Sequence, residues 1–76
     1  MEAELQSYLI GEAIKQARES RNITQEQLGE MIGVKKAQIS RIEKGSNLTI
    51  LTIRKVFRAM GMSTNLEIVG LGKFAI

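Results

Sequence analysis

Between Thr24 and Gly45 the chain reads TQEQLGEMIGVKKAQISRIEKG, and no other stretch restricts the possible folds as strongly. Thr24 followed three residues later by Gln27 is a capping-box pattern. The hydroxyl accepts from an orphan N–H at a helix start, and the Gln side chain reaches back to the cap. Leu28, Met31 and Ile32 fall at i, i+3 and i+4, which gives that helix one apolar face. Gly33 stands where the chain leaves the helix through a left-handed backbone, which glycine adopts without a Cβ penalty. Val34 plugs the turn. A second helix is expected from about Lys35 or Lys36, with Ile39 and Ile42 turned inward and Gly45 as its stop. Gly29, inside the first helix, costs about 1 kcal/mol relative to Ala. Two helices crossing steeply through a short turn bring their backbones together near that point. Gly29 is therefore read as a packing position rather than a tolerated weak spot.

Two short helices joined by a tight turn, the second with a polar and basic outer face, is the layout of a helix-turn-helix. The distribution of charge agrees with it. The net charge is +3, but residues 1–32 sum to −3 and residues 33–60 to +6, with Glu43 the only acid in the second group. Positive charge thus gathers on the second half of the motif and on the segment after it, as contact with phosphates requires. A solvated charged face is the plainer explanation of such a run. Its coincidence with the motif favours nucleic acid.

Composition removes other classes. Seventy-six residues make one small domain, near the lower size for a single stable core. With no Cys and no His, there is no disulfide framework, no thiolate and no imidazole base or ligand. No paired carboxylates or phosphate-binding glycine loop appear, so neither an enzyme nor a cofactor or metal site is expected. One Tyr and two Phe are too few for a single-strand stacking platform. No apolar run approaches membrane-spanning length and no signal-peptide pattern opens the chain, so a cytoplasmic protein without a membrane partner is expected.

The chain divides into a DNA-binding unit over residues 1–62, with its motif at 24–45, and a tail over 63–76. Residues 1–6 are expected to fray. A first helix is expected from about Ser7 to Arg21, with Ile10, Ala13, Ile14 and Ala17 inward and Leu5, Tyr8 and Leu9 partly off that stripe. Asn22 suits a left-handed exit, and Ile23 packs ahead of the Thr24 cap. Beyond a loop from Ser46 to Leu48, Thr49 caps a fourth helix over about Ile50–Met60. Ile50, Ile53, Val56, Phe57 and Met60 form its inward stripe, Leu51 stays outside it, and Gly61 and Met62 close it. Residues Asn65–Val69 alternate as a strand, Gly70 and Gly72 bend the chain, and Lys73–Ile76 form a second extended piece. A mainly α domain of four helices offers a lone strand no partner. It is expected to pair with its copy across a homodimer, with Leu51, Phe57, Leu66 and Ile68 in the interface; an unstructured tail is the alternative.

The residues Thr24-Gln25, Leu28-Gly29, Ile32-Gly33-Val34, Ile39-Ser40-Arg41 and Ile42-Glu43-Lys44-Gly45 resemble the Xre-like, phage-repressor (Cro/cI-type) helix-turn-helix domains. The resemblance runs from Ile10 to Met62. Two positions depart from it: Lys35 stands where Ser or Thr often caps the second motif helix, and Gly29 where Ala is usual. The resemblance implies a sequence-specific regulator of transcription, acting as a repressor on an inverted repeat in double-stranded DNA. It implies that Lys36, Ala37 and Arg41 read base edges, with Gln38 and Ser40 behind them. It also implies that Gln25 anchors a phosphate together with Thr24, Lys35 and Lys44, and that Arg18 pairs with Glu43 and reaches the DNA backbone. A four-helix domain followed by a strand is further similar to HipB-type antitoxins, which would add a toxin protein as a partner. The alternative function is a protein-interaction module that binds DNA only incidentally.

Overall fold

The computed structural model describes residues 2–46 and 48–76, with side chains from Gln6 onward. Four helices precede a hairpin: α1 (Glu2–Ser20), α2 (Gln25–Ile32), α3 (Lys36–Glu43), α4 (Ile50–Ala59), β1 (Asn65–Ile68) and β2 (Gly72–Ala75). Every helix contributes to one core. Ile14, Leu28, Ile39, Ile42, Val56 and Met60 are buried in it, with Ile10, Ala17, Ile23, Ile32, Val34, Leu48, Phe57 and Ala59 packed around them. Fully burying one such aliphatic side chain stabilises the fold by about 1.5–3 kcal/mol.

The turn chemistry is that expected from sequence. Thr24 has an extended backbone and its Oγ1 accepts from Gln27 N–H at 3.0 Å, while Gln27 Oε1 accepts from Thr24 N–H at 2.8 Å. Gly33 is left-handed at φ 82°, and Val34 N–H donates back to Gly29 O at 2.8 Å. Asn22, the one non-glycine residue at positive φ among those described, takes φ 57° at the exit of α1. Thr49 caps α4 by accepting from Thr52 N–H at 3.1 Å.

Several boundaries and faces differ from expectation. Residues 2–6 belong to α1 rather than to a frayed end; Met1, Asn47 and the Leu5 side chain lie outside the description. Met31 is 50% exposed, Ala13 is exposed and Ile50 is 52% exposed, although each was placed inward. For Met31 and Ala13 the cause is the same. At about 100° per residue, the buried face of α2 is centred between Leu28 and Gly29, and Met31 falls roughly 110° from it while Ile32 falls within it. In α1 the centre lies among Gly11, Ile14 and Arg18, all buried, and Ala13 points away from it. A polar Arg and a glycine occupy core-facing positions that a search for apolar periodicity passes over.

The tail is not a lone strand. β1 pairs antiparallel with β2 of the same chain, in the register Asn65↔Ala75, Leu66↔Phe74, Glu67↔Lys73, Ile68↔Gly72. Leu71 N–H donates to Ile68 O across the turn, and Ile76 N–H donates to Thr64 O at the open end. The second extended piece supplies the partner that was sought in another subunit. Leu66 is half-buried within its own chain, and Phe57 packs on the core. Leu51, at 61% exposed, and Ile68 remain open.

Close backbone approach fixes how α1 meets α3. A Cβ placed on Gly11 would stand 2.6 Å from Glu43 O and 2.8 Å from both Gly45 N and Ile42 O. One on Gly29 would stand 2.5 Å from Val34 O, so glycine lets the turn fold back more tightly than Ala allows. Backbone atoms cannot yield as a flexible side chain can. Gly11→Ala is therefore expected to destabilise the protein by about 1–3 kcal/mol in urea unfolding, although Ala is the better helix former. A stabilised variant would show that α1 and α3 do not meet there.

Candidate DNA-binding surface

At the centre of the helix-turn-helix lies a buried ion pair. Arg18 is 9% and Glu43 6% exposed. Arg18 Nε donates to Glu43 Oε2 at 2.6 Å, and Nη2 donates to Oε1 at 3.2 Å, a two-pronged contact between α1 and α3. Arg18 Nη1 donates to Ile23 O at 2.8 Å, in the connection to α2. Gln25 Nε2, at the first position of α2, donates to Glu43 Oε1 at 3.0 Å. One carboxylate thus joins all three helices. Hydrogen bonding to Glu43 raises the Arg18 pKa above the ordinary arginine value, against the lowering effect of burial, and the charges of Glu43 and Glu19 add to the rise. A raised value means that the stability supplied by charged Arg18 is complete at and below the ordinary arginine range and is lost only above it.

This network gives two residues expected at the DNA backbone a role inside the protein. Arg18 was placed beside the DNA backbone, but its guanidinium is enclosed and committed to Glu43 and Ile23. Gln25, also expected at a phosphate, is half-buried with its amide on Glu43. Both position α3 from within. Arg18 was identifiable as polar beside an inward stripe. Gln25 gave no signal, because its partner is 18 residues away along the chain.

The network sets the orientation of α3. Ile39, Ile42 and Glu43 are buried, which fixes one face inward. At about 100° per residue, Ala37 and Arg41 then point most directly outward, four residues apart, with Gln38 and Ser40 on the flanks. The exposures follow that order: Ala37 and Arg41 are exposed, and Gln38 and Ser40 are half-buried. Lys36 is exposed at the helix start. Lys35 holds the N-cap position with an extended backbone and makes no side-chain cap bond, so the first N–H groups of α3 have no side-chain acceptor. Thr24 at the start of α2 and Lys35 and Lys44 at the two ends of α3 are exposed. Arg18–Glu43 is the one ion pair among the described residues, which leaves Lys35, Lys36, Arg41 and Lys44 without a described carboxylate in contact.

A cleft of about 190 Å³ opens beside the buried pair, lined by Tyr8, Glu12 and Lys15 of α1, Gln25 of α2, and Ser40, Glu43 and Lys44 of α3. The α1 side chains were not given a DNA-facing role from sequence. Their spacing of i, i+4 and i+7 marks a common stripe, but only the approach at Gly11 brings that stripe to α3. Among the described residues no group of His, Cys, Asp or Glu side chains is arranged to hold a metal ion.

A buried clamp that holds one helix upright while its far face stays polar and cationic defines a helix-turn-helix DNA-binding domain. The sequence model of the helix-turn-helix family matches residues 14–66, and the chain belongs to this Xre-like family of DNA-binding transcription regulators. A search of curated proteins finds no match. Among the described residues no helix is long and apolar enough to cross a membrane.

Removing one partner of the clamp leaves the other charge buried and uncompensated. Glu43→Ala is expected to cost about 3–5 kcal/mol in unfolding free energy. Replacing both partners by apolar residues, as in Arg18→Met with Glu43→Leu, is expected to recover most of that loss. A double-mutant cycle with no coupling would contradict the assignment.

Proposed function

We propose that this protein is a repressor that binds an inverted-repeat operator as a homodimer, reading each half-site with α3 in the major groove. The observation that carries this reading is the orientation of α3: its inner face is fixed by Ile39, Ile42 and the buried Glu43, and Ala37 and Arg41 are directed away from the protein. In the major groove, Arg41 and Lys36 suit guanine O6 and N7, Gln38 suits adenine, and the Ala37 methyl suits the thymine methyl. Thr24, Lys35, Lys44 and the uncapped start of α3 supply phosphate contacts. Repression then follows from occupancy of the site.

Two features support self-association. Ile76 N–H bonds to Thr64 O, so by alternation along the ladder Asn65 and Glu67 direct their backbone groups to the outer edge of β1. An open edge of this kind is a template for a second β1, which would join two hairpins into one four-stranded sheet. Beside it, Ile10, Ala13, Ile50, Ile53, Phe57 and Leu66 line an apolar groove that a second copy would cover. Leu51 on α4 and Ile68 on β1 are further exposed apolar side chains.

A role in binding a partner protein, such as the toxin of a toxin–antitoxin pair, rests on the hairpin tip. There Val69 is 96% and Leu71 73% exposed. Steep salt dependence of duplex binding separates the operator reading from a module with incidental DNA affinity.

Selection of bound DNA from a random duplex pool is expected to enrich an inverted repeat with half-sites about one helical turn apart. On that operator, Arg41→Ala is expected to lose about 1–3 kcal/mol and relax preference at one base position. No enriched sequence would turn the assignment toward the interaction module. Glu67→Pro removes an outward N–H without removing a hairpin bond and is expected to yield monomers by sedimentation equilibrium. Unchanged association would place the dimer contact elsewhere.

A further inference from the structure

The cleft beside the clamp has the donor chemistry of an anion seat, and it draws on Tyr8, Glu12 and Lys15 of α1, which have no assigned contact to DNA. Glu43 forms its floor, but both of its oxygens accept from Arg18, and Oε1 also accepts from Gln25, so its charge is compensated. Apart from the two glutamates, the lining residues are cationic or carry hydrogen-bond donors: Lys15, Lys44, Tyr8, Ser40 and Gln25, whose amide has one N–H beyond the bond to Glu43. The start of α2 adds its free end. Thr24 Oγ1 and Thr24 O accept from the N–H groups of Gln27 and Leu28, and these bonds leave the first N–H groups of the helix, at Gln25 and Glu26, unused. One carboxylate opposes this set. Glu12 sits on the same α1 stripe, one turn from both Tyr8 and Lys15, and lines the same cleft.

We propose that this cleft seats one phosphodiester group of the DNA backbone, gripped by Lys15 of α1 and Lys44 of α3 with the Tyr8 hydroxyl as a further donor, and that Glu12 weakens the grip. The inference rests on the DNA-binding reading and extends it to α1. Each partner leaves a distinct signature. Lys15 neutralises a phosphate, so it contributes to counterion release. Tyr8 donates a neutral hydrogen bond, so it contributes affinity without charge. Glu12 repels the same phosphate whatever the base sequence, so its loss strengthens binding to any duplex.

The test uses the full chain and a mixed-sequence duplex of about 30 base pairs, with affinity measured by fluorescence anisotropy across a salt series. Lys15→Gln is expected to bind several-fold more weakly, with the slope of log K against log salt reduced by about 0.9. Tyr8→Phe is expected to bind more weakly with the slope unchanged. Glu12→Gln is expected to bind more tightly at every salt concentration. Lys73→Gln, on β2, is expected to change neither quantity, and thermal melting of each variant confirms that it folds. A wild-type chain that shows no salt-sensitive binding would overturn the DNA reading and the seat with it. A wild-type chain that binds, with Lys15→Gln keeping its affinity and slope, would overturn the seat alone. Unchanged binding by Glu12→Gln would overturn the opposing role of Glu12.

Discussion

The structure depends on one carboxylate taken out of water. Glu43 accepts from Arg18 through both oxygens and from Gln25 through one, and so binds the ends of three helices to a single point. Burying a charge is costly unless its partners are in place, and here they are. The same cost makes the arrangement selective. Any rotation of α3 about its axis would break charge-assisted hydrogen bonds inside the protein. A core of six buried aliphatic and thioether side chains would tolerate small rotations of an eight-residue helix more readily than this network does. The orientation of the outward face is therefore set by electrostatics, while the strength of packing comes from the apolar core.

Glycine permits this geometry. α1 reaches the end of α3 because Gly11 has no Cβ, and that approach has two consequences. It carries Arg18, two turns further along α1, into the interior, and it carries Tyr8, Glu12 and Lys15 to the border of the motif. Charge separation along the chain gains a spatial meaning from this. The excess acid in residues 1–32 is not all remote from the cationic face: Glu12 lies beside Lys15 and Lys44 in one cleft. Glu12 thus offsets part of the cationic charge at this border.

Much of this was legible in the sequence where local chemistry decides the outcome. Thr24 with Gln27, Gly33, Asn22, Thr49 and Gly61 mark helix ends because capping and left-handed exits demand particular residues. The motif helices and the inward Ile39 and Ile42 followed from spacing alone. Errors arose where a face is defined by residues outside the apolar alphabet. The inner side of α1 includes Gly11 and Arg18, so the apolar stripe was centred wrongly and Ala13 was placed inward. The inner side of α2 includes Gly29, so Met31 was grouped with Leu28 and Ile32 on a face it does not share. The strand pairing within the tail was missed for a different reason. Both extended pieces were visible, but pairing within one chain and pairing between two chains satisfy the same hydrogen bonds, and periodicity does not distinguish them. The bond from Gln25 to Glu43 was missed because a contact over 18 residues has no local signature.

The most direct test of the account is a titration of the isotopically labelled protein with duplex DNA, following backbone amide shifts by NMR. The central claim is that a buried clamp presents the outer face of α3 to DNA. It predicts that the largest shifts fall at Lys35 to Arg41, at Lys44 and at the start of α2, while Val56, Met60 and the hairpin tip at Val69 to Leu71 stay nearly unchanged. Shifts concentrated on the hairpin or on the outer side of α4, with residues 35–44 unaffected, would contradict it.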